Sequence, residues 1–344
     1  MYFYLTRFDY DRNIPHGGTL RVLQIMEQYN GLDEIEIGKI QPIKFNLKNM
    51  KYFIKVLKLY LVLLFSLKIS VNKYKELLKI TFVCYVNLKH IIDVFGKNVK
   101  VITDLTNKYY PINAIMNRMG IYSIYVLHNL ESLVPGSNYY YLRNKPWLSF
   151  ELDYLRYSDV IITISREENW LLFLKGIPNE YLPYYPPKVK LDYLNNVKNL
   201  RLNNITGFSN NILILGTYCN NPTKIGMDNL MNALLGVKDY NYLNFLVAGL
   251  DTELMNYEFN TLPRNIKILG TVDDGRLADL LIFSKAVIID QPYSSGALTK
   301  MVELNIINIP VFANTASVRS NYHLNNITEY KDKYELFEML GLGT

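Results

Sequence analysis

Short apolar runs rich in β-branched and aromatic residues alternate with stretches of helical period along almost all of the 344 residues, and few folds accept that rhythm. The runs are Tyr2–Thr6, Val99–Thr103, Tyr122–Leu127, Val160–Ile164, Ile212–Leu215, Leu243–Ala248, Ile266–Leu269, Ala286–Ile289 and Val311–Ala313. Most are apolar at successive positions, as parallel strands buried on both faces are. A βαβα series of this kind winds into an α/β sheet with helices on both faces. Several runs end on a small or polar residue: Asp104, His128, Ser165, Gly216, Gly249 and Gly270. In open α/β sheets the ligand crevice lies beyond the carboxyl ends of the strands, so these residues are the first candidates for chemistry.

A chain this long, 49% apolar, can bury two cores, because single cores seldom grow past about 250 residues. The break falls at Tyr181-Leu-Pro-Tyr-Tyr-Pro-Pro187, where proline disfavours helix, and is followed by an Asn-rich stretch. The expected organisation is a Rossmann-like domain over 1–185, a stiff linker over 186–210 and a second Rossmann-like domain over 211–325. A C-terminal helix within 326–344 is expected to cross back to the first domain. No solenoid-length repeat is visible.

Charge is uneven around a net +6. Residues 1–190 hold 25 Lys/Arg against 16 Asp/Glu, a balance of +9, and the remainder hold 12 against 15, a balance of −3. Between 39 and 100 there are 13 basic side chains and only two acids, Glu76 and Asp93. Such a surface suits an anionic partner. Nucleic acid is not expected, since zinc spacing, helix-turn-helix pattern and aromatic-basic RNA signature are all missing. Cys84 and Cys219 lie far apart and no secretory pattern precedes the first strand, which points to the cytoplasm. The apolar run Leu59–Leu67 falls short of the ~20 residues a spanning helix needs.

Four segments carry candidate chemistry. Gly17-Gly18 precede the helical pattern Thr19–Gln28, where paired glycines and a helix N-terminus let backbone amides approach an anion. No GxGxxG is present, which argues against an NAD enzyme. His128 closes the strand IYSIYVL, placed to donate to a sugar hydroxyl or offset developing charge. Gly216-Thr217 through Lys224 form a glycine-ended strand, a polar loop and a lysine suited to a diphosphate. In Gln291–Val311, the amides of Ser295, Gly296 and Ala297 open a helix expected from about Ala297. Lys300 supplies a cation there, and Glu303, two turns in, an acceptor for ribose hydroxyls. An ordinary surface ion pair between Lys300 and Glu303 is the plainer alternative.

The last segment, written G-x-x-x-K-x-x-E and followed by Pro310-Val311, resembles the donor-binding helix of family 4 glycosyltransferases. Gly17-Gly18, the strand before His128, Ile162–Ser165, YLPYYPP, GTYCNNPTKIGMDNL and Ile268-Leu-Gly270-Thr-Val fall in the family's order. The resemblance implies a GT-B fold, with two Rossmann-like domains facing across a cleft, an acceptor domain first and a donor domain second. It implies Glu303 on the ribose, Lys224 on the diphosphate and His128 on the transferred sugar. Gly270 lines the donor site in the same reading. It further implies retaining transfer of a hexose from a UDP- or GDP-linked sugar to a glycan or lipid-linked acceptor, with no cofactor. Two positions depart from the family pattern: Ser295 stands where an acid is common, and Thr217 where an arginine often follows the glycine. Asp9-Tyr-Asp11 has a metal-binding look but comes too early in the chain, so no metal is expected.

Lys48, Lys51, Lys55 and Lys58, spaced three, four and three apart, share one face of a helix expected over 47–68, with apolar residues around the rest. This suits an anionic membrane surface, with the protein peripheral on the inner face. Rival readings are a sugar-nucleotide 2-epimerase of similar architecture and a non-catalytic partner subunit. The first would need more cleft acids and histidines than the four histidines supply.

Overall fold

A computed structural model describes residues 1–6, 17–30, 34–43, 47–66, 73–105, 111–134, 148–204, 207, 209–240, 242–259, 261–292 and 296–343. Of Asn30, Leu47 and Lys48 it describes the backbone alone. The described strands are β1 (Tyr2–Leu5), β2 (Ile35–Gly38), β3 (Lys100–Thr103), β4 (Ser123–Leu127), β5 (Val160–Thr163), β6 (Asn179–Tyr181), β7 (Asn211–Leu215), β8 (Asn244–Ala248), β9 (Ile266–Gly270), β10 (Ala286–Ile289), β11 (Val311–Asn314) and β12 (Ile327–Tyr330). The helices are α1 (Gly17–Asn30), α2 (Leu47–Met50), α3 (Phe53–Ser66), α4 (Tyr74–Phe95), α5 (Ile112–Met119), α6 (Leu148–Leu155), α7 (Arg166–Leu174), α8 (Lys188–Asn203), α9 (Asn221–Leu235), α10 (Asp274–Phe283), α11 (Thr299–Ile307), α12 (Thr315–Val318) and α13 (Lys333–Leu340).

The chain divides into two units, Met1–Tyr184 and Tyr185–Thr344. Each holds a six-stranded sheet, in the orders β2-β1-β3-β4-β5-β6 and β12-β11-β10-β7-β8-β9, with every strand pair parallel. The doubly wound α/β class read from the alternation is the class observed. Period-two alternation divides each central strand between two cores. In β4, Tyr125 and Leu127 pack on one face, with α4 and α5, while Ile124 and Val126 pack on the other, with α1. In β10, Ala286 and Ile288 join one cluster and Val287 and Ile289 the opposite one.

Three expectations about the chain's organisation change. Residues 186–210 are mostly helix: α8 starts directly after Pro187 and buries Leu194, Val197 and Arg201 on one narrow face. Proline is well tolerated just outside a helix N-terminus, so the break predicted there is a helix start. The buried Arg201 guanidinium donates to the carbonyls of Leu281, Ile282 and Ser284 at the carboxyl end of α10, where cations are favoured. The C-terminal segment belongs to the second unit, where β12 extends the sheet and α13 buries Leu336 and Phe337 in its core. The helix expected over 47–68 is split, because Tyr52 donates its amide to the Asn49 carbonyl in a tight turn and packs on Tyr85. Only Lys55 and Lys58 of the lysine stripe therefore stand on α3.

Candidate functional site

In each sheet the strand order reverses direction beside the first strand, between β1 and β3 and between β7 and β10. Those reversals are the ligand crevices of doubly wound folds.

In the first unit, Asp104 closes β3 and its side chain is fully buried. Its carboxylate accepts from Thr6 Oγ1 at 2.7 Å and from the Tyr4 hydroxyl at 3.2 Å. His128, at the end of β4 and 12% exposed, brings Nε2 to 3.6 Å from the same carboxylate oxygen. Burial, with Asp104 beside it, pushes the Tyr4 hydroxyl well above its ordinary pKa, so Tyr4 remains a donor. Two buried carboxylates hold the chain that follows His128. Glu168 Oε1 accepts the Leu130 amide at 2.9 Å, and Glu151 accepts the amides of Glu131 and Ser132 at 3.0 and 2.9 Å. Burial pushes the Glu151 carboxyl up to about 7 against the pull of those bonds. Gly17 and Gly18 form the first turn of α1. His16, Asp9 and Asp11 lie outside the described residues.

In the second unit, Gly216 directly follows β7 and passes over Gly249, which directly follows β8. A Cβ on Gly249, whose φ is 135°, would meet the Gly216 carbonyl oxygen at 1.8 Å, so only glycine closes this edge. The start of α9 is pressed as tightly on the end of β10, since a Cβ on Gly226 would lie 1.9 Å from the Asp290 carbonyl oxygen. Gln291 ties the crevice floor together: its side chain donates to Thr223 Oγ1 at 2.7 Å, and its backbone is clamped on both sides by the Asn314 amide. Buried Asp290 accepts from Tyr330 and Lys333. Thr217 is half-buried and Gly270, with φ of 76°, ends β9.

The predicted donor residues separate into two groups. Lys224 is engaged within the protein, with its ammonium 2.7 Å from Asp228 and Glu258, 2.8 Å from the Tyr218 hydroxyl and over the Tyr218 ring. Its charge is neutralised by Asp228, one turn on in α9, and by Glu258, distant in sequence. Glu303, Lys300 and a residue the sequence reading passed over, Lys190 of α8, form the second group. Lys190 Nζ lies 3.7 Å from Glu303, both side chains more than four-fifths buried. Burial lowers the Lys300 ammonium to about 8, with Glu303 opposing the shift. Tyr193 of α8, pushed up to about 12 by burial and by Asp274 and Glu303, donates to the Asp274 carbonyl and closes this side. The helix expected from Ala297 starts at Thr299, because Gly296 turns with φ of 69° while its carbonyl accepts from Arg319 and Ser320. Leu298 at the N-cap supplies no side-chain cap, leaving Gly296 and Ala297 in the loop before helix amides that no side chain caps. Ser295 lies outside the described residues. Lys190 had no visible signal, since only the fold of 188–203 onto α11 brings it there.

No family model and no characterised sequence matches the chain. Solved structures do. Alr3699/HepE of Anabaena in complex with UDP superposes with a TM-score of 0.62 at 11% identity, over 99% of this chain and 88% of that one. Sucrose-phosphate synthase of Thermosynechococcus elongatus gives 0.64 at 14%, over 99% and 88%. A trehalose-6-phosphate protein of E. coli bound with UDP-2-fluoro glucose gives 0.62 at 10%, over 99% and 90%. These neighbours have the GT-B architecture, and the chain, with its two Rossmann-like units built on six-stranded parallel sheets, has the GT-B fold.

Proposed function

We propose that the protein is a glycosyltransferase moving a hexose unit from a UDP- or GDP-linked sugar to a glycan or lipid-linked acceptor, in the manner of polysaccharide biosynthesis. It is placed in the cytoplasm, with donor binding in the second unit and acceptor binding in the first. The observation that carries this reading is the group Glu303, Lys300 and Lys190 around the uncapped start of α11, next to the strand-order reversal of the second sheet. A cationic pair beside helix amides that lack a side-chain cap meets a diphosphate, and a partly buried carboxylate accepts from ribose hydroxyls. Solved neighbours of the same fold hold UDP or a UDP-sugar.

In this mechanism the bond from the anomeric carbon to the diphosphate oxygen breaks with both electrons going to the phosphate. Lys300, Lys190 and the α11 amides meet that charge as it develops, which lowers the barrier. The acceptor oxygen bonds to the same face of the anomeric carbon, and its proton passes to the departing phosphate. Configuration is retained and no metal takes part. His128, backed by Asp104, donates to the transferred sugar. Use of Lys224 for the diphosphate requires it to exchange Asp228 and Glu258 for phosphate oxygens.

The test is calorimetric titration with UDP and GDP, followed by transfer from the matching radiolabelled sugars to membrane extracts and glycan fragments. Binding of one nucleoside diphosphate with transfer of its sugar is expected. Absence of binding by either nucleotide overturns the proposal, and binding without transfer or donor turnover identifies a non-catalytic subunit.

A further inference from the structure

Helix α3 buries Val56, Leu59 and Leu63 and turns a second apolar strip outward. Ile54, Leu57, Leu61 and Phe65, three, four and four residues apart, are exposed, Ile54 by 70% and Phe65 by 84%. The outer face of a surface helix is normally polar, and a contiguous exposed apolar strip marks an interaction surface. Beside the strip, α3, α4 and the end of α5 enclose a cavity of about 570 Å³ whose charged lining is entirely cationic: Lys55, Lys58, Lys89, Lys97 and Arg118. Lys89 is paired with Asp93. Among the described residues no carboxylate lies within ion-pair distance of Lys55, Lys58, Lys97 or Arg118. Lys97 precedes β3 and Gly120 precedes β4, so the cavity opens at the amino edge of the first sheet, opposite the edge that carries Asp104 and His128.

We propose that this face docks on an anionic membrane, the cavity seating a lipid phosphate headgroup while the α3 strip lies against the acyl-chain boundary. Charge complementarity selects this occupant. Four cations with no ion-pair partner among the described residues, at the margin of an apolar strip, match a surface that is anionic at the headgroup level and apolar just beneath it. A second copy of the chain would bring the same cations against one another across a two-fold contact. A helix of fourteen residues lies in the interface without crossing it, and no described helix is long and apolar enough to span. Cavity and strip belong to the first unit alone, so the inference is independent of the nucleotide-sugar reading.

The test is co-sedimentation with phosphatidylcholine vesicles made with and without phosphatidylglycerol. The full chain should bind the anionic vesicles and ignore the neutral ones, and added salt should weaken binding because exposed charges are screened. Each cation near the surface is worth about fivefold in affinity, so Lys58→Gln/Lys97→Gln/Arg118→Gln should lose about a hundredfold. Ile54→Ser/Phe65→Ser should lose binding while keeping its melting temperature, since both side chains are already in water. Indifference of the wild type to phosphatidylglycerol, or equal binding by the triple variant, overturns the proposal. So does a concentration-dependent dimer that Ile54→Ser/Phe65→Ser dissociates, which would make the strip a subunit contact.

Discussion

Substituting Glu151→Gln tests how the loop carrying His128 is held. The carboxyl is fully buried, accepts two backbone amides, and has its pKa pushed by burial from 4.5 up to about 7. Between those values the folded protein keeps a proton that the unfolded chain releases. The stability from this group is therefore fully present below about pH 4.5 and is lost as pH rises through about 7. At about 1.4 kcal/mol per pH unit the interval amounts to ~3 kcal/mol. Glutamine has nearly the same shape and no proton to lose, so its stability should lack this component. Denaturant titrations followed by tryptophan emission report on the first unit, since Trp147 and Trp170 are the only tryptophans and both precede Tyr184. Wild type should be the more stable at pH 5 and lose ~3 kcal/mol relative to Glu151→Gln on going to pH 8. Parallel pH profiles for the two proteins would refute a buried carboxyl that is neutral below pH 7.

Glu303→Ala should weaken binding of the nucleoside diphosphate by about 1–3 kcal/mol in calorimetry while the protein stays folded, and unchanged affinity removes it from the donor site. The Lys300 ammonium, lowered to about 8 by burial, should make nucleotide affinity fall as pH rises from 7 to 9. Lys300→Arg should flatten that fall, and its persistence in the arginine variant would assign it to another group. For His128→Ala, turnover should drop at least tenfold while nucleoside diphosphate affinity stays at the wild-type value, and equal loss of both would place the residue on the nucleotide instead. Gly226→Ala puts a methyl 1.9 Å from the Asp290 carbonyl, so α9 must shift at a cost of about 1–3 kcal/mol, and an unaltered thermal midpoint would disprove that contact.

The central strands and one edge strand, β9, were legible in the sequence, and the other three edges were not. Strands buried on both faces must be apolar at successive positions, which is why β4, β7, β8 and β10 stand out as IYVL-, NILIL-, NFLVA- and AVII-type runs. The missed strands β2, β6 and β12 are all sheet edges and read IEIG, NEY and ITEY. An edge strand is half in water, where charge is favoured and the apolar signal fades. Helix α8 was hidden for a related reason: it buries one narrow face, and its composition is otherwise polar.

At the candidate site, residue type and order along the chain sufficed to single out His128, Lys300 and Glu303, because a carboxyl strand end and a helix start are local features. Their partners were decided by the tertiary structure. Asp104 meets His128 because β3 and β4 are neighbours in the sheet, and Lys190 meets Glu303 because α8 packs on α11. Lys224 read locally as a phosphate ligand, yet Glu258, more than thirty residues away, helps neutralise it. Glu151 and Glu168, charged residues on short helices, gave no sign that they would be buried under the His128 loop. Sequence spacing specifies which residues share an element, whereas pairing between elements depends on strand order and burial, and there the charges acquired their partners.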